Sequence, residues 1–363
     1  MLKTYGWSPE LQSLFHAHAT GGQIPGRIVI QHRGGYRVVT EGGEIDARAS
    51  GMLMKARETE RPVTGDWVAV EPRPGETLGL VQTVLPRRTA FLRKAAGNRS
   101  GALVVAANAD VAFLVASMSA DLNLRRLERY LATAFESGAE PVIVLTKIDL
   151  IDDPAAVLAD VATIALDVPV LAISSKTGEG LDRVAAHLPS GRTAVLLGSS
   201  GAGKSTLLNA LAGEVRMATG EVREEDGRGR HTTTHRELVL LPSGGLILDT
   251  PGMRELGLWD ADAGVSATFE DVEALAAQCR FNDCSHQQEP GCAIREAIAD
   301  GVLPEVRLRA YEKLQAELAF EHRRQDPQAE RENRKLWASR HKTARAWIKA
   351  KRQGPGSGEP GES

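Results

Sequence analysis

The chain has 363 residues, 42% of them hydrophobic, enough to bury sizeable cores in two or three domains. Its formal net charge of −3 excludes a uniformly basic nucleic-acid binder, so any affinity for RNA must be local. No run approaches the ~20 apolar residues of a membrane span, MLKTYGWSPE carries no secretory pattern, and the three cysteines, all between 279 and 292, make a poor disulfide framework; a soluble, cytoplasmic protein is the expectation.

Residues 1–25 read as an extension with a short amphipathic stretch over 9–19. Over 26–99 the β-rich runs GRIVIQ, YRVVT, DWVAVE and LGLVQTVL are closely punctuated by Gly and Pro, which predicts an OB-type barrel of about five strands. Thirteen Lys/Arg against eight Asp/Glu make this segment basic inside an acidic chain. Small barrels of this type bind nucleic acid on one face, although a structural barrel with solvated charges has the same composition. Over 100–262 apolar strands alternate with helical stretches, the pattern of a parallel α/β sheet, with VAFLVAS, PVIVLTK, PVLAISS, TAVLLGSS and LILDTPG as its buried strands. Residues 263–352 are helical and charged. Their last part, 331–352, holds nine Lys/Arg, one acid, Trp337 and Trp347; at helical spacing this is a basic stripe suited to phosphate contact, or a solvated helix docked by its tryptophans. The tail 353–363 is too poor in apolar residues to fold.

Chemistry enters with TKID at 146–149, which closes the apolar run PVIVL. Asp149 can accept hydrogen bonds from the N1–H and exocyclic amine of guanine, which adenine cannot supply, while the Lys147 stem can lie along the base. ISSKTG at 173–178 resembles a loop whose backbone donates to guanine O6, with Ser174, Ser175 and Lys176 at its centre. Either stretch alone also fits an ordinary strand-to-helix turn. GSSGAGKST is more specific: Gly198, Ser199, Ser200, Gly201, Ala202, Gly203, Lys204, Ser205 and Thr206 complete G-x-x-x-x-G-K-[ST] between the strand TAVLL and a helix STLLNALAG. Backbone N–H groups there converge on phosphates at the positive end of a helix, with Lys204 neutralising the β- and γ-phosphates and Ser205 on Mg²⁺. LILDTPG carries Asp249 to a strand tip, where its carboxylate can hold the metal while the Gly252 N–H meets the γ-phosphate.

The cysteines fall in C-x4-C-x-H-x5-C: Cys279, Cys284, His286 and Cys292. Three sulfurs and one imidazole form a closed tetrahedral Zn²⁺ set with no open position, so a structural zinc is expected.

These motifs resemble the G4, G5, G1, G2 and G3 boxes of the TRAFAC GTPases, in that order, which marks circularly permuted GTPases. By resemblance to related G2 boxes, Thr233 in GRGRHTTTHRE (227–237) is the candidate Mg²⁺ ligand, with Thr232 or Thr234 as alternatives. After DTPG stands Met253, where many GTPases place a water-orienting glutamine; His231 is then the candidate for that role, against a merely solvated histidine. The barrel, the permuted motifs GRHTTT and DTPGMRELGL, and the cysteine cluster are together similar to the ribosome small-subunit-dependent GTPase A family (RsgA, also called YjeQ) across about 26–345. The resemblance implies an OB-fold domain, a permuted GTPase domain and a zinc domain that engage the small ribosomal subunit and its rRNA late in assembly. It also implies slow GTP hydrolysis stimulated by the subunit and coupled to release, contact with assembly factors there, and no membrane; a monomer is the expected state. A GTPase of another RNA process, such as RNA modification, or an RNA-binding scaffold with a non-hydrolysing site, are the other readings of the same motifs. Two residues depart from the common pattern. Thr146 replaces an asparagine whose amide ties the base to the phosphate loop, which predicts weaker nucleotide affinity with guanine selection retained. Gly201 stands where potassium-activated GTPases typically place an asparagine, and the sequence supports no claim about potassium dependence.

Overall fold

A computed structural model describes residues 1–32, 34–73, 78–94, 102–119, 122–214, 236–249 and 261–325. After helix α1 (Pro9–His18), strands β1 (Ile24–His32), β2 (Gly35–Thr40), β3 (Gly43–Ala49), β4 (Trp67–Pro72) and β5 (Leu78–Val84) pair in the order β1-β2-β3-β5-β4 and close through β1–β4, giving a five-stranded barrel. Its interior is filled by Ile28, Val38, Ala47, Val68, Val70 and Val81, with Leu53 of the short helix α2 (Gly51–Lys55) capping one end. Arg37 of β2 and Arg48 of β3 are exposed while their apolar neighbours Val38 and Ala47 are buried, so the segment is basic and folded at once.

A hairpin of β6 (Ala90–Lys94) and β7 (Ala102–Ala107) leads into the second sheet. There β8 (Val111–Ser117), helix α3 (Leu124–Ser137), β9 (Glu140–Thr146), α4 (Pro154–Ala165), β10 (Val170–Ala172), α5 (Leu181–Ala186), β11 (Thr193–Leu197), α6 (Lys204–Ala212), β12 (Arg236–Leu240) and β13 (Leu246–Asp249) are arranged as β10-β9-β8-β11-β13-β12. All neighbours are parallel except β12 and β13. The strands are buried on both faces, as a parallel sheet requires. Leu114, Ile143, Val195 and Leu248 pack with α3 and α4 on one side; Phe113, Val142, Leu196 and Ile247 pack with α5 and α6 on the other. Strand β12, RELVL, is hidden in the sequence: it is short, and its charged first two residues break the apolar run that identifies the other strands.

The barrel and the sheet are joined by hydrogen-bonded strands. The far end of β1 continues past a register shift between Ile28 and Ile30 and pairs antiparallel with β12 at Ile30–Glu237 and Gln31–Arg236. Arg27 stabilises the junction. Fully buried, it donates to the carbonyls of Tyr5, Gly65 (3.3 Å) and Asn108 (3.1 Å) and to Thr193 Oγ1 (3.0 Å), and lies 4.9 Å over the Trp67 ring. Four acceptors and an aromatic face offset the desolvation that pulls its pKa down to about 10.

Helices α7 (Asp262–Thr268), α8 (Glu270–Ala276), α9 (Ala293–Ala299) and α10 (Glu305–Gln325) build a smaller core of Val265, Phe269, Val272, Ile294, Leu308 and Leu314. Ala132 of α3 belongs to that core, so this region is packed on the sheet's own helix layer. Arg307 fastens the two: buried, it holds both Asp271 oxygens at 3.0 Å, Glu128 of α3 at 2.9 Å and the Thr268 carbonyl at 2.6 Å. Among the described residues no helix is long and apolar enough to cross a membrane.

Candidate nucleotide site and metal cluster

The chain leaves β8 towards β9 and leaves β11 towards β13, so the loops after adjacent strands β8 and β11 diverge and open a crevice at the sheet's C-terminal edge. Ligands of open α/β sheets bind at such a point. A cavity of about 600 Å³ lies there, walled by Ser199, Ser200, Gly201 and Ala202 on one side and by Ser117, Ser119, Asn123, Arg126 and Tyr130 on the other, with Lys147 at its rim.

Of the three glycines in the loop 198–203, the first and last fix its two ends. A Cβ on Gly198 would sit 2.3 Å from the Val115 carbonyl of β8, so no side chain fits where the loop leaves β11. Gly203 has φ +94° and caps α6 with no side chain of its own, so it makes no side-chain cap to the first N–H groups of that helix. Ser205 and Thr206 lie in the first turn of α6. Lys204 Nζ folds over the loop and donates to the carbonyls of Gly198 (2.7 Å) and Ser199 (2.6 Å). The ammonium and the open N-terminus of α6 form one electropositive cradle.

TKID begins on the last residue of β9, next to β8 and close to the cradle. Lys147 turns the chain through a left-handed conformation (φ +65°), and Ile148–Leu150 form a single helical turn carrying Asp149. The neighbouring base-side loop is attached directly, because β10 pairs with β9 and the Ile148 N–H donates to the Ile173 carbonyl (3.2 Å). Ser174 Oγ accepts from the N–H groups of Lys176 (3.3 Å) and Thr177 (3.1 Å), fixing the turn that presents Ser175 and Lys176. Ser175 Oγ and Ser117 Oγ are shut off from solvent with no hydrogen-bond partner among the described residues. Orphaned hydroxyls are rare in protein interiors and mark polar surface built for something else.

Thr146 connects the base side to the phosphate side: its hydroxyl donates to the Ala202 carbonyl at 2.7 Å. The tie made by an asparagine amide in the common pattern is therefore present here in shorter form. Asp249 ends β13, one residue beyond the Val195–Leu248 pair, and so stands beside the start of the 198–203 loop. The structure thus brings together Thr146, Lys147, Asp149, Ser174, Ser175, Lys176, the residues 198–206 and Asp249. His231, Thr232, Thr233, Thr234, Gly252 and Met253 lie outside the described residues, as does the basic stretch 331–352. The sequence did not point to the cavity wall formed by Ser117, Ser119, Asn123 and Arg126. Its trace is the appearance of Ser117 and Ser119 after the apolar run that ends at Ala116.

In the helical region, the ligand atoms of Cys279, Cys284, His286 and Cys292 all lie within 4.8 Å of one another. Cys279 Sγ is 3.9 Å from Cys292 Sγ, and both are 3.6 Å from His286 Nδ1. A disulfide needs sulfurs about 2 Å apart, whereas a tetrahedron with ~2.3 Å arms has edges near 3.8 Å. Hence the group could hold a metal ion as it stands. Burial works against ionising Cys279, yet the N–H groups of Ile294 and Ala293 aimed at its sulfur hold the thiol below the ordinary range. Cys284 is pushed up to about 11, chiefly by burial and by the two neighbouring sulfurs, against the N–H of His286. Three adjacent thiols cannot all ionise without a cation between them.

A second cavity, of about 620 Å³, lies where the barrel meets the sheet, lined by His32, Tyr36, Arg48, Arg61 and Arg236 among others. Burial, aided by the charge of Arg93, depresses the Arg236 guanidinium.

Comparison with known proteins matches residues 84–259 to the RsgA GTPase family model. The "Small ribosomal subunit biogenesis GTPase RsgA" of Streptomyces coelicolor is 48% identical over 357 residues, covering 97% of this chain and 96% of its own. The protein of the same name from Opitutus terrae is 45% identical, covering 95% and 97%. Among solved structures, YjeQ from Thermotoga maritima superposes with a TM-score of 0.61 at 27% identity, over 82% of this chain and 99% of its own. YloQ, described as a circularly permuted GTPase, gives 0.60 at 26% identity, over 83% and 97%.

Proposed function

The chain belongs to the RsgA GTPase family, and from that premise we propose that it hydrolyses GTP to GDP and phosphate on the small ribosomal subunit, late in that subunit's assembly. The observation that carries this reading is the convergence of TKID, ISSKTG and the 198–206 loop on one end of a single parallel sheet. Asp149 selects guanine through its N1–H and amine, the Ser175–Lys176 backbone meets O6, and the loop Gly198–Thr206 cradles the phosphates. Ser205, Thr233 and Asp249, a set of hard oxygen donors, suit Mg²⁺. When bound, that ion neutralises charge on the β- and γ-phosphates.

In this mechanism water attacks the γ-phosphorus in line with the departing β-γ bridging oxygen. Lys204 and the loop's N–H groups hold the negative charge that spreads over the equatorial oxygens, and the Gly252 N–H adds a further donor. Met253 offers no amide to orient the water, so His231 is the candidate for that role. Binding to the subunit stimulates the reaction, and hydrolysis favours release, with assembly factors on the subunit as neighbours.

The division of labour is an OB-fold domain at 26–99, a permuted GTPase domain at 100–262 and a zinc-binding helical domain at 263–352, between an extension at 1–25 and a tail at 353–363. One structural Zn²⁺ occupies Cys279, Cys284, His286 and Cys292; the three-sulfur, one-nitrogen donor set and its near-tetrahedral edges favour that ion. For rRNA, the arginine-lined junction cavity and the basic stretch 331–352 offer phosphate contacts. The protein acts as a cytoplasmic monomer.

The test is GTP hydrolysis with and without purified small subunits. Acceleration by the subunit is the expected result. Turnover indifferent to the subunit would move the protein to another RNA process, and no turnover in either condition would make it a scaffold.

A further inference from the structure

Of the four cluster residues, only His286 has a left-handed backbone, with φ +58°. Such a conformation is uncommon for a residue with a side chain and persists where neighbouring groups hold it. No helix or strand runs between Ala276 and Ala293 to do so. The amides flanking His286 therefore need acceptors from elsewhere. One carboxylate supplies them. Glu289 Oε1 accepts from the N–H (2.9 Å) and the hydroxyl of Ser285, and Oε2 accepts from the N–H groups of Gln287 (2.9 Å) and Gln288 (3.0 Å). One oxygen thus grips the residue before His286, and the other grips the two after it. Hydrogen bonds from Ser285 first, then from the backbone of Glu289 and Gln287, pull the Glu289 carboxyl down to about 2. It therefore stays ionised wherever cysteine and histidine bind metal.

The backbone of His286 is held as well. Arg295, on α9, donates from Nε to the His286 carbonyl at 2.6 Å, and the His286 N–H is aimed at the Cys284 sulfur. With its backbone fixed on both sides, the imidazole is directed inward. Its Nδ1 stands 3.6 Å from both Cys279 Sγ and Cys292 Sγ. Glu289 is not among the clustered ligand atoms; its two oxygens serve the amides instead. Only a carboxylate offers two such acceptors, because an amide would turn an NH₂ group towards one pair of donors.

We infer that Glu289 and Arg295 are positioning residues for the metal ligand His286, fixing the 285–288 turn from two sides so that the imidazole meets the ion. Metal affinity then depends on two side chains that are not ligands. The inference rests on the reading that a zinc ion occupies the four residues.

The test measures zinc affinity of the full-length protein by competition with a chromophoric chelator, with melting curves reporting folding. Glu289→Gln should weaken zinc binding by about 10–100-fold, and Arg295→Met by a comparable factor. Glu312→Gln is the control for charge: Glu312 meets the Gln287 side chain at 3.4 Å, and the variant removes a charge beside the same loop but keeps an acceptor. It should stay within about threefold of the parent. In His286→Ala, which keeps three sulfurs, adding Glu289→Gln should cost less than about threefold more, because the ligand it positions is gone. A folded Glu289→Gln or Arg295→Met that binds zinc within about threefold of the parent would overturn the inference. So would an equal loss in Glu312→Gln, which would make the effect one of charge. An equal loss from Glu289→Gln with and without His286 would also overturn it, leaving Glu289 as a general support of the loop. Arg295→Met decides should Glu289→Gln fail to fold. A parent that takes up no zinc would sink the metal reading itself, an outcome distinct from any change in affinity.

Discussion

The nucleotide site and the cysteine cluster are both made of loops, yet they are held in opposite ways. Around the nucleotide site, TKID, ISSKTG and the phosphate loop each leave a strand that is buried on both faces, and each loop is bonded to its neighbour through Ala202 or Ile173. The sheet holds those loops whatever occupies them, so the ligand reads a surface that already exists. Around the cluster, residues 279–292 contain no regular element, and the flanking helices α8 and α9 are seven residues each. Helices of that length have little stability of their own. There a bound ion would supply the rigidity that the sheet supplies elsewhere.

The largest expected effect would break that contrast outright. Removing a metal bound there with a chelator should cost the cluster a binding free energy of about 10–16 kcal/mol, and replacing Cys292 by Ser a part of it. Amide exchange should then rise sharply through α8 and α9 while GDP affinity changes little. Equal loss of protection around 198–206 would mean that the two regions fold as one.

Lys204→Ala leaves the sheet intact but removes the cradle's ammonium. GTP turnover should fall at least about a thousandfold, a loss of about 4 kcal/mol in transition-state stabilisation, with an unchanged melting temperature.

Arg307 lies between the two regions and sharpens the comparison. Arg307→Ala strands Glu128, a carboxyl that burial already pushes above its ordinary range, and should destabilise the protein by about 3–5 kcal/mol, read by denaturant midpoint. Loss confined to α7–α10 would show that the sheet does not depend on its neighbour; loss everywhere would show the reverse.

Asp149→Asn should leave folding untouched and relax the preference for guanine over xanthine or adenine nucleotides, by a few kcal/mol at most. Undiminished guanine specificity in competition binding would remove Asp149 from the base site. The smallest effect is that of His231→Ala, which should lower the subunit-stimulated rate about 10²-fold with GTP affinity retained; an unaltered stimulated rate would exclude it from the mechanism.

The motifs were legible because their chemistry is local. GSSGAGKST needs only a strand before it and a helix after it, and C-x4-C-x-H-x5-C places all four ligands within one short segment. The barrel and the five apolar strands followed from side-chain period, since a strand buried on both faces reads as a continuous apolar run. Less visible was β12, whose two leading charged residues hide it, and whose pairing with β1 merges barrel and sheet. A strand pair between residues 30 and 237 is a long-range register that periodicity cannot encode.

Thr146 shows the division most clearly. The sequence alone determined that a threonine stands where an amide is common, and from that the expectation was weaker nucleotide affinity. Only the tertiary structure decided that the Ala202 carbonyl comes within 2.7 Å of the hydroxyl. The physical reason is distance along the chain: residues 146 and 202 meet because β9, β8 and β11 lie side by side, and that order is set by packing of the whole sheet. The same is true of Arg27 and Arg307, two buried cations whose partners come from separate parts of the chain. What a residue can donate is written in its type; whom it donates to is settled by the fold.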